Sequence, residues 1–513
     1  MRTSHRYTTC LFVFIFFIFI IVSYHYLNTK YAVEMQGRVQ VAQEKVRSLL
    51  SDLRLDDNFI PGGIQSGNPT PLKNVLKKAL RGEDINVLVI GGSHSAGGKL
   101  GLDENSLDGL YFKVFTRWWN NNIGKATKSF IKEIPLAIGG TGSYFFAFCY
   151  KTFIAVGQKI DLVLIEISAN DMIYGTSKPL EQLTRQILAY PSAPAVLYIN
   201  LLSGLGVNPN TKRIHNPLCI NLETFGQAEL ARHYGITSFS LREIFCRKEK
   251  GEWRVVFKNM TGSDGSHISL KANAQVAMMM IKYVRSVFNE VVNDVTKVPL
   301  DTVDQVGGNG SSQLLKFLLI ESETLKKPLC WTGKEPNVFK NLHQPNLQIE
   351  VINNINFSPC FQVSGQTVNV KLAKDHRTDS HGGWCAWTSL SFLQLRIYVP
   401  LISDDSSFHK RSVTVLARHE KGEAAAIWLD SKKNTITIKS DSNYNVDRYY
   451  TIATRVDPGY HTITVRTVRE GMFMVAAVFV GAPDFQAVPD IADQNSSMWQ
   501  GSGPNYAEIF KRS

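Results

Sequence analysis

Four common signatures of enzyme chemistry are missing from this chain of 513 residues. It contains no H-E-x-x-H and no paired C-x-x-C, so the usual sequence signs of a zinc site are absent. It also lacks the G-x-S-x-G motif of α/β-hydrolases. The stretch before Gly98-Lys99 fails as a phosphate-binding loop, because Ser93 stands at the first glycine of that motif and Leu100 at its Ser or Thr. Any catalytic chemistry must therefore come from another arrangement of residues.

A nucleic-acid partner is also not expected, although the chain is basic. Its 56 Lys and Arg residues exceed its 44 Asp and Glu residues, which gives a net charge of +12. No block of Lys and Arg is interleaved with aromatic residues, as a nucleic-acid surface would require. The excess charge indicates a solvated basic surface, and an anionic glycan or lipid surface is the alternative partner.

A long hydrophobic run lies at the N-terminus. Residues Cys10 to Val22 are all apolar, and with Ser23 to Leu27 the segment approaches the roughly 20 residues that span a bilayer. No A-x-A-like cleavage site follows the run, whereas aromatic residues suited to a membrane interface do. We therefore expect a cytoplasmic tail over residues 1–9 and an uncleaved transmembrane signal anchor over 10–27, as in a type II membrane protein. A cleaved signal peptide is the alternative, because the uninterrupted apolar core is only 13 residues long.

Two features agree with a body that lies in the lumen of the secretory pathway. Glycosylation acceptors of the form N-x-[S/T] occur at Asn259, Asn309, Asn356 and Asn495. Six of the seven cysteines lie outside the apolar run, an even number that suits an oxidising compartment. We expect disulfides between Cys219 and Cys246 and between Cys360 and Cys385, although the sequence alone does not fix the connectivity. The alternative is chance acceptor sites and buried free thiols.

Residues 28–83 form a predicted stem and linker. Apolar residues recur within it in the pattern of a short heptad helix, at Val39, Ala42, Val46, Leu49 and Leu53. Because two heptads are marginal alone, the stem is either a helical spacer or the contact of a homodimer.

Between residues 84 and 295 apolar runs alternate with helical patterns. The runs predict strands at 86–90, 131–138, 162–167 and 195–201. The helical stretches predict helices at 107–120, 145–156, 180–189 and 270–287. Because the strands are apolar throughout and do not alternate, we expect a parallel sheet covered by helices on both faces.

The second half of the chain has a different pattern. Residues 296–315 include Gly-Gly-Asn-Gly-Ser-Ser and predict a linker. Short alternating stretches then predict strands at 367–372, 393–399, 412–417, 435–439, 460–468 and 472–480. They indicate an antiparallel β-sandwich of jelly-roll type over residues 316–486, followed by a disordered tail at 487–513. If the linker separates two independent domains, residues 60–300 alone should carry any catalytic activity.

Four short motifs follow one another in the α/β half. They are Gly91-Gly92-Ser93-His94-Ser95-Ala96-Gly97, Gly139-Gly140-Thr141-Gly142-Ser143, Ser168-Ala169-Asn170-Asp171 and Asp264-Gly265-Ser266-His267. The first three follow predicted strands, and the fourth precedes a predicted helix. Ligands bind in open α/β sheets at the carboxyl ends of the parallel strands, so we expect the motifs to form one site.

The motifs contain the groups that acyl transfer to serine requires. Ser93 lies at the end of a buried strand, between small residues that let a substrate carbonyl approach. One turn separates Asp264 from His267, so the carboxylate can orient the imidazole while its other nitrogen takes the proton of Ser93. The expected nucleophile is Ser93, with Asp264 and His267 as its partners. Taken singly, Ser93 could cap a turn and His267 could be a surface residue.

At these residues the chain resembles the SGNH (GDSL-type) hydrolase superfamily, which is named after the Ser, Gly, Asn and His of its four motifs. The resemblance covers about residues 84–290 and implies a three-layer α/β/α domain. It also implies an oxyanion hole made by the backbone N–H groups of Ser93 and Gly140 and by the side-chain amide of Asn170.

Three residues depart from the usual form of these motifs. Gly92 replaces an Asp and His94 a Leu in the first motif, and Ser168 replaces a Gly in the third. None of these changes removes a catalytic group, but they leave the subfamily and hence the substrate open. His94 is either a residue at the rim of the site or an alternative base.

The resemblance and the expected compartment together imply a serine esterase of the secretory pathway, in the Golgi, that hydrolyses or transfers acyl esters, above all O-acetyl esters, on carbohydrate. The site needs neither a metal nor a cofactor. Its expected partners are the acylated carbohydrate or another ester substrate, the membrane through the N-terminal helix, and a second copy through the stem. The alternative function is a catalytically inactive SGNH-fold protein that binds glycan or serves as a scaffold.

Overall fold

The computed structural model of the chain describes most of both predicted domains. The described residues are 60–98, 107–171, 177–201, 227–249, 252–255, 267–297, 315–320, 328–334, 345–363, 366–369, 379–401, 411–419, 422–440 and 447–481, with the isolated positions 22, 26 and 30. Outside them lie the cytoplasmic tail, nearly all of the anchor, the heptad of the stem, the C-terminal tail, Asp264, Cys219, Asn259, Asn309 and Asn495. Among the described residues, no helix has both the length and the apolar character needed to cross a membrane.

A six-stranded sheet forms the centre of the α/β domain. Its strands are β1 (Ile64–Gln65), β2 (Ile85–Gly91), β3 (Ile131–Ala137), β4 (Leu162–Glu166), β5 (Ala195–Asn200) and β6 (Thr237–Ser240). They lie in the order β1-β6-β5-β4-β2-β3, and β2 to β6 are parallel. β1 pairs antiparallel with β6. The predicted parallel sheet is confirmed for β2 to β6. The antiparallel edge strand β1 was not predicted, because a strand of two residues leaves no hydrophobic pattern in the sequence.

Helices cover both faces of this sheet. They are α1 (Thr70–Leu80), α2 (Tyr111–Trp119), α3 (Lys125–Thr127), α4 (Ser143–Cys149), α5 (Ser168–Asp171), α6 (Lys178–Leu188), α7 (Gln227–Tyr234), α8 (Leu241–Phe245) and α9 (Leu270–Lys297). α1, α2 and α9 pack on one face of the sheet, and α4, α6 and α7 pack on the other. Val87 and Val89 of β2 face the first layer, whereas Leu88 and Ile90 face the second. The three-layer α/β/α arrangement is thereby confirmed.

Several helices differ from the sequence prediction, and three of the differences have a clear cause. α1 falls within the predicted stem and linker, yet Leu76 is fully buried against the sheet, so this part of the chain belongs to the α/β domain. α4 ends at Cys149 and continues only as a 3₁₀ turn over Tyr150–Phe153. α9 runs beyond its predicted end to Lys297, because Val291 and Val292 extend its buried face.

Two antiparallel sheets form the β domain. Their strands are β9 (Leu329–Thr332), β10 (Ile349–Ile355), β11 (Ser358–Val363), β12 (Gln366–Asn369), β13 (Asp379–Ala386), β14 (Phe392–Val399), β15 (Arg411–His419), β16 (Gly422–Leu429), β17 (Ile436–Ser440), β18 (Asp447–Val456), β19 (Gly459–Thr467) and β20 (Phe473–Gly481). One sheet has the order β10-β14-β19-β16-β17, and the other has the order β12-β11-β13-β20-β15-β18 with β9 also paired to β20. The facing side chains form one apolar core, which includes Leu395, Val415 and Val465. A separate hairpin, β7 (Cys246–Glu249) with β8 (Glu252–Val255), belongs to the α/β half.

The two domains share an apolar core where α4 meets β9 and β20. Aromatic side chains of α4 pack in one cluster with residues of the β domain such as Met474 and Phe479. A disulfide between Cys149 and Cys330 joins α4 to β9. The predicted disulfide between Cys360 and Cys385 is confirmed, while the pairing of Cys219 with Cys246 stays a prediction.

Residues 315–320, at the end of the predicted linker, dock on the outer face of the α/β domain. The carboxylate of Glu181 in α6 accepts the backbone N–H groups of Leu318, Leu319 and Ile320 at 2.6, 2.7 and 2.9 Å. The guanidinium carbon of Arg185 lies 4.2 Å from the centre of the Phe317 ring. These contacts, with the shared core, tie the domains together and argue against their independence.

Candidate active site

The loop that carries Ser93 begins where β2 ends at Gly91. It folds into a tight turn, because the N–H of Ala96 donates to the carbonyl of Gly92 at 3.0 Å and the N–H of Gly98 donates to the carbonyl of Ser93 at 2.8 Å. Ser93 itself is half-buried. The turn therefore holds the serine at the carboxyl end of β2, where the sequence predicted it.

Gly92 lets this loop touch the third motif. A side chain at Gly92 would place its Cβ only 2.5 Å from Nδ2 of Asn170. The backbone beside the serine therefore lies directly against the amide of Asn170, and the glycine leaves room for that amide. The first and third motifs meet as expected.

His267 faces the same loop from the opposite side. A Cβ on Gly98 would lie 2.9 Å from Nε2 of His267 and 3.0 Å from the carbonyl oxygen of Ser93. The imidazole and the backbone of the serine thus face each other across a residue without a side chain. His267 presents Nε2 to the loop, and its predicted partner Asp264 lies outside the described residues.

His94 supports His267 and is not arranged as a second base. Its Nδ1 accepts the backbone N–H of Ile268 at 3.2 Å. The lone pair of this nitrogen is therefore engaged within the protein and does not face a substrate. The two imidazole rings lie 5.1 Å apart, and His94 is buried. His94 therefore packs behind the site and fixes the start of α9.

The second motif supplies Gly140 beside Asn170. Gly140 has a φ of +62°, a left-handed conformation that favours glycine. Nδ2 of Asn170 donates to the carbonyl of Thr141 at 2.6 Å, which ties the second motif to the third. The N–H of Ile138 donates to the carbonyl of Gly91 at 2.9 Å, which ties the second motif to the first. The structure thus brings together Ser93, Gly140, Asn170 and His267 of the five predicted site residues.

Glu166, at the end of β4, lies beneath the serine loop. Its Oε2 accepts the N–H groups of Gly92 and Ser95, both at 3.2 Å, and the hydroxyl of Ser95 at 2.9 Å. Burial raises the pKa of Glu166 to about 8, although these hydrogen bonds oppose the shift. The hydroxyl of Tyr111 lies 2.9 Å from Ser95 Oγ and extends this buried polar network.

Asp171, next to Asn170, anchors a neighbouring helix. Its Oδ1 accepts the N–H of Ser143 at 2.8 Å, at the first residue of α4. A carboxyl group at a helix N-terminus is favourably placed. Burial nevertheless raises the pKa of Asp171 to about 7.

Sequence reasoning missed the supporting role of Glu166. Its signal is a single charged residue in the otherwise apolar run of β4, Leu162–Glu166. A carboxyl group in a strand that is buried on both faces needs a specific partner. Which loop supplies that partner is visible only once β2 and β4 lie side by side.

Solved structures of similar fold cover both domains of the chain. A two-domain esterase active on acetylated mannans matches with a TM-score of 0.51 and 17% identity, over 82% of this chain and 98% of its own. The same esterase crystallised with mannopentaose matches with a TM-score of 0.50 and 17% identity, over 82% of this chain and 99% of its own. The chain has the fold of a two-domain esterase. The likeness covers both domains, and the fold expected from the SGNH resemblance is confirmed.

No protein-family model matches the sequence, and no curated protein is similar to it. At 17% identity the structural likeness shows the fold alone. Ser93, His267, Gly140 and Asn170 place a serine hydroxyl, an imidazole and two amide groups within one loop cluster, and acyl transfer to serine uses groups of these types.

Proposed function

We propose that this chain is a serine esterase that cleaves acyl esters through an acyl-Ser93 intermediate. The observation that carries the proposal is the meeting of four groups from distant parts of the sequence: Ser93, Gly140, Asn170 and His267. A merely structural serine in a turn would need none of the other three. We propose O-acetyl groups on carbohydrate as the substrate class, supported by the fold shared with an esterase active on acetylated mannans.

In the proposed first step Nε2 of His267 takes the proton of the Ser93 hydroxyl as Oγ attacks the ester carbonyl. The negative charge that develops on the carbonyl oxygen is stabilised by the N–H groups of Ser93 and Gly140 and by Nδ2 of Asn170. Asp264 is proposed to hold the Nδ1–H of His267 and to stabilise the imidazolium. The imidazolium then returns the proton to the leaving alcohol.

In the second step a water molecule attacks the acyl-serine, with His267 as the base, and releases the acid. A sugar hydroxyl in place of water would give acyl transfer with the same residues. The two reactions differ in product, so incubation with an acetylated oligosaccharide and an unacetylated acceptor separates them. Free acetate indicates hydrolysis, and newly acetylated acceptor indicates transfer.

The experiment that tests the proposal measures acetate release from an acetylated mannan oligosaccharide by the full chain. We expect turnover by the wild type and none above background by Ser93→Ala. Equal release by both proteins would show that Ser93 is not the nucleophile. Binding of the oligosaccharide without any release would contradict the proposal and favour a glycan-binding or scaffold role.

The compartment is proposed from the sequence, with support from the described residues. The disulfides Cys149–Cys330 and Cys360–Cys385 suit an oxidising compartment. Asn356 is exposed in the turn between β10 and β11, where an oligosaccharide could be attached. We propose a type II membrane protein whose catalytic body lies in the lumen of the Golgi.

Extraction with carbonate and treatment with a glycosidase test this location. We expect the protein to stay with the membranes and to decrease in apparent mass after deglycosylation. Recovery in the soluble secreted fraction with a new N-terminus near Tyr24 would show a cleaved signal peptide instead.

A further inference from the structure

A lysine of the β domain reaches the second motif of the candidate site. Lys334 lies two residues beyond the end of β9, and only 1% of its side chain is exposed. Its Nζ donates to Oγ1 of Thr141 at 3.1 Å and pairs with the carboxylate of Asp447. Thr141 is the residue after Gly140. A side chain of the second domain thus contacts the loop that carries a proposed oxyanion donor.

The backbone around Lys334 is held firmly against the β domain. The N–H of Lys334 donates to Oγ1 of Thr332 at 3.0 Å, and that hydroxyl donates to the carbonyl of Ala476 at 3.0 Å. A Cβ on Gly333 would lie 2.7 Å from the carbonyl carbon of Gly382, so β13 packs directly against this turn. The base of the lysine side chain is therefore fixed by three neighbouring segments.

Thr141 connects this fixed lysine to the oxyanion donors. Its Oγ1 accepts from Lys334 and donates to the carbonyl of Gly139 at 3.1 Å. Its carbonyl accepts from Nδ2 of Asn170 at 2.6 Å. Gly140 lies between Gly139 and Thr141 in its left-handed conformation, so the direction of its N–H depends on how these two neighbours are held.

A buried ion pair is a costly way to fill space between two domains. Desolvation of two charges offsets much of their attraction, and apolar side chains of similar size usually serve stability as well. Burial accordingly lowers the pKa of Lys334, while the nearby Asp447 carboxylate opposes the shift. Nζ also lies 5.7 Å from the centre of the Phe145 ring, within the shared core. A charge retained there calls for a role other than packing.

We propose that Lys334 is a positioning residue of the esterase site: by holding Thr141 it aims the N–H of Gly140 and the amide of Asn170 at the developing oxyanion. The β domain then completes the active site, in addition to any contact it makes with substrate. This inference rests on the proposed esterase function. It predicts that loss of the Lys334 contact lowers kcat and leaves KM nearly unchanged, because oxyanion contacts form mainly in the transition state.

Three variants test the contact from both sides. Lys334→Met removes the donor, and the Asp447 carboxylate keeps Arg418 as a partner, whose Nε lies 3.6 Å from Oδ1. Thr141→Val removes the accepting hydroxyl and leaves the ion pair intact, so it tests the same contact if the first variant does not fold. Thr141→Ser keeps the hydroxyl. Lys151→Met is the matched control. Lys151 follows the C-terminal end of α4, whereas Thr141 precedes its N-terminal end, and the Nζ of Lys151 is 5.8 Å from the centre of the Tyr150 ring.

The measurements are kcat and KM for a small acetyl ester, the rate of labelling by a fluorophosphonate serine probe, and the melting temperature. We expect kcat and the labelling rate to fall by about 10-fold or more in Lys334→Met and in Thr141→Val, with KM changed less than about twofold. Combining the two should cause no further loss, because both remove one contact. Thr141→Ser should lie nearer to wild type than Thr141→Val, and Lys151→Met should match wild type.

Wild-type kcat and labelling in folded Thr141→Val would overturn the inference while leaving the esterase function intact. Losses that add in the combined variant would overturn it as well, because the two residues would then act separately. A wild-type protein that neither reacts with the probe nor cleaves the ester would instead be a failure of the esterase proposal itself.

Discussion

Glu166 shows how a single buried carboxyl group can shape the catalytic loop. Three of its hydrogen bonds reach the residues on either side of Ser93, at Gly92 and Ser95. With a pKa of about 8 the group is mostly protonated at neutral pH. It therefore fixes the turn without placing a full negative charge beside the proposed oxyanion hole.

The raised pKa of Glu166 predicts a pH-dependent stability. In the folded protein Glu166 keeps its proton up to a pH of about 8, whereas a free glutamate, with a pKa of 4.5, loses it at lower pH. The associated stability is fully present below pH 4.5 and is lost as the pH rises through about 8. Between about pH 5 and about pH 8 we expect the melting temperature of Glu166→Gln to fall less than that of the wild type. An identical pH dependence in wild type and variant would show that Glu166 is charged in the folded state.

Asn170 is the proposed donor whose loss should affect the reaction more than the fold. For Asn170→Ala we expect kcat to fall on the order of 10² to 10³ on a small acetyl ester, the usual loss for one oxyanion donor. The amide also holds the carbonyl of Thr141, so some loss of melting temperature is expected as well. A kcat within about twofold of wild type would remove Asn170 from the oxyanion hole.

The residues predicted from the sequence are those that a local pattern identifies. Ser93, Gly140, Asn170 and His267 each stand in a short motif next to a strand or helix, and the fold brings these motifs together. Glu166 and Lys334 could not be assigned in this way. Their partners lie 71 and 193 residues away in the sequence at Ser95 and Thr141, and these contacts exist only after the sheets have packed.

The same distinction applies to the helices and strands. Long apolar runs such as those of β2 and β4 were predicted nearly to their ends, because strands buried on both faces contain no polar interruption. β1 has two residues, too few for a pattern, and the apolar residues of β10 do not alternate strictly with polar ones. The core that joins α4 to β20 was also not predicted, because apolar residues do not reveal which domain they face.

The two described disulfides should differ in their contribution to stability. Cys149–Cys330 closes a loop of 181 residues between domains, whereas Cys360–Cys385 closes one of 25 within the β domain. A disulfide that closes a longer loop removes more conformational entropy from the unfolded chain. Replacing Cys149 and Cys330 by Ala should therefore cost about 1 to 2 kcal/mol more stability than replacing Cys360 and Cys385 by Ala. Denaturant unfolding measures both. The opposite order would mean that strain or residual structure outweighs loop closure.

At the scale of the whole molecule, one aromatic cluster holds the domains together. The ring of Phe479 in β20 lies 5.2 Å from that of Phe148 and 6.1 Å from that of Phe145, both in α4. Separating the domains would expose these buried rings to water. A chain shortened to residues 60–300 is therefore expected to aggregate or unfold, contrary to what a flexible linker alone would suggest.

Phe479→Ala tests this shared core in the full chain. Truncation of a fully buried phenylalanine costs about 3 to 5 kcal/mol, and here we expect both domains to unfold in one destabilised transition. Phe130→Ala serves as the control, because Phe130 is 41% exposed. Two separate transitions, with the α/β domain unchanged in stability, would show that the domains fold independently.

Ser93 is proposed to be an activated nucleophile. Labelling of the full chain with a fluorophosphonate probe, followed by mass spectrometric identification of the modified residue, tests it without knowledge of the substrate. We predict a single label on Ser93 in the wild type and none in Ser93→Ala, whose melting temperature should be unchanged. His267→Ala should also lose the label. A folded wild-type protein that takes no label, or equal labelling of wild type and Ser93→Ala, would contradict the claim.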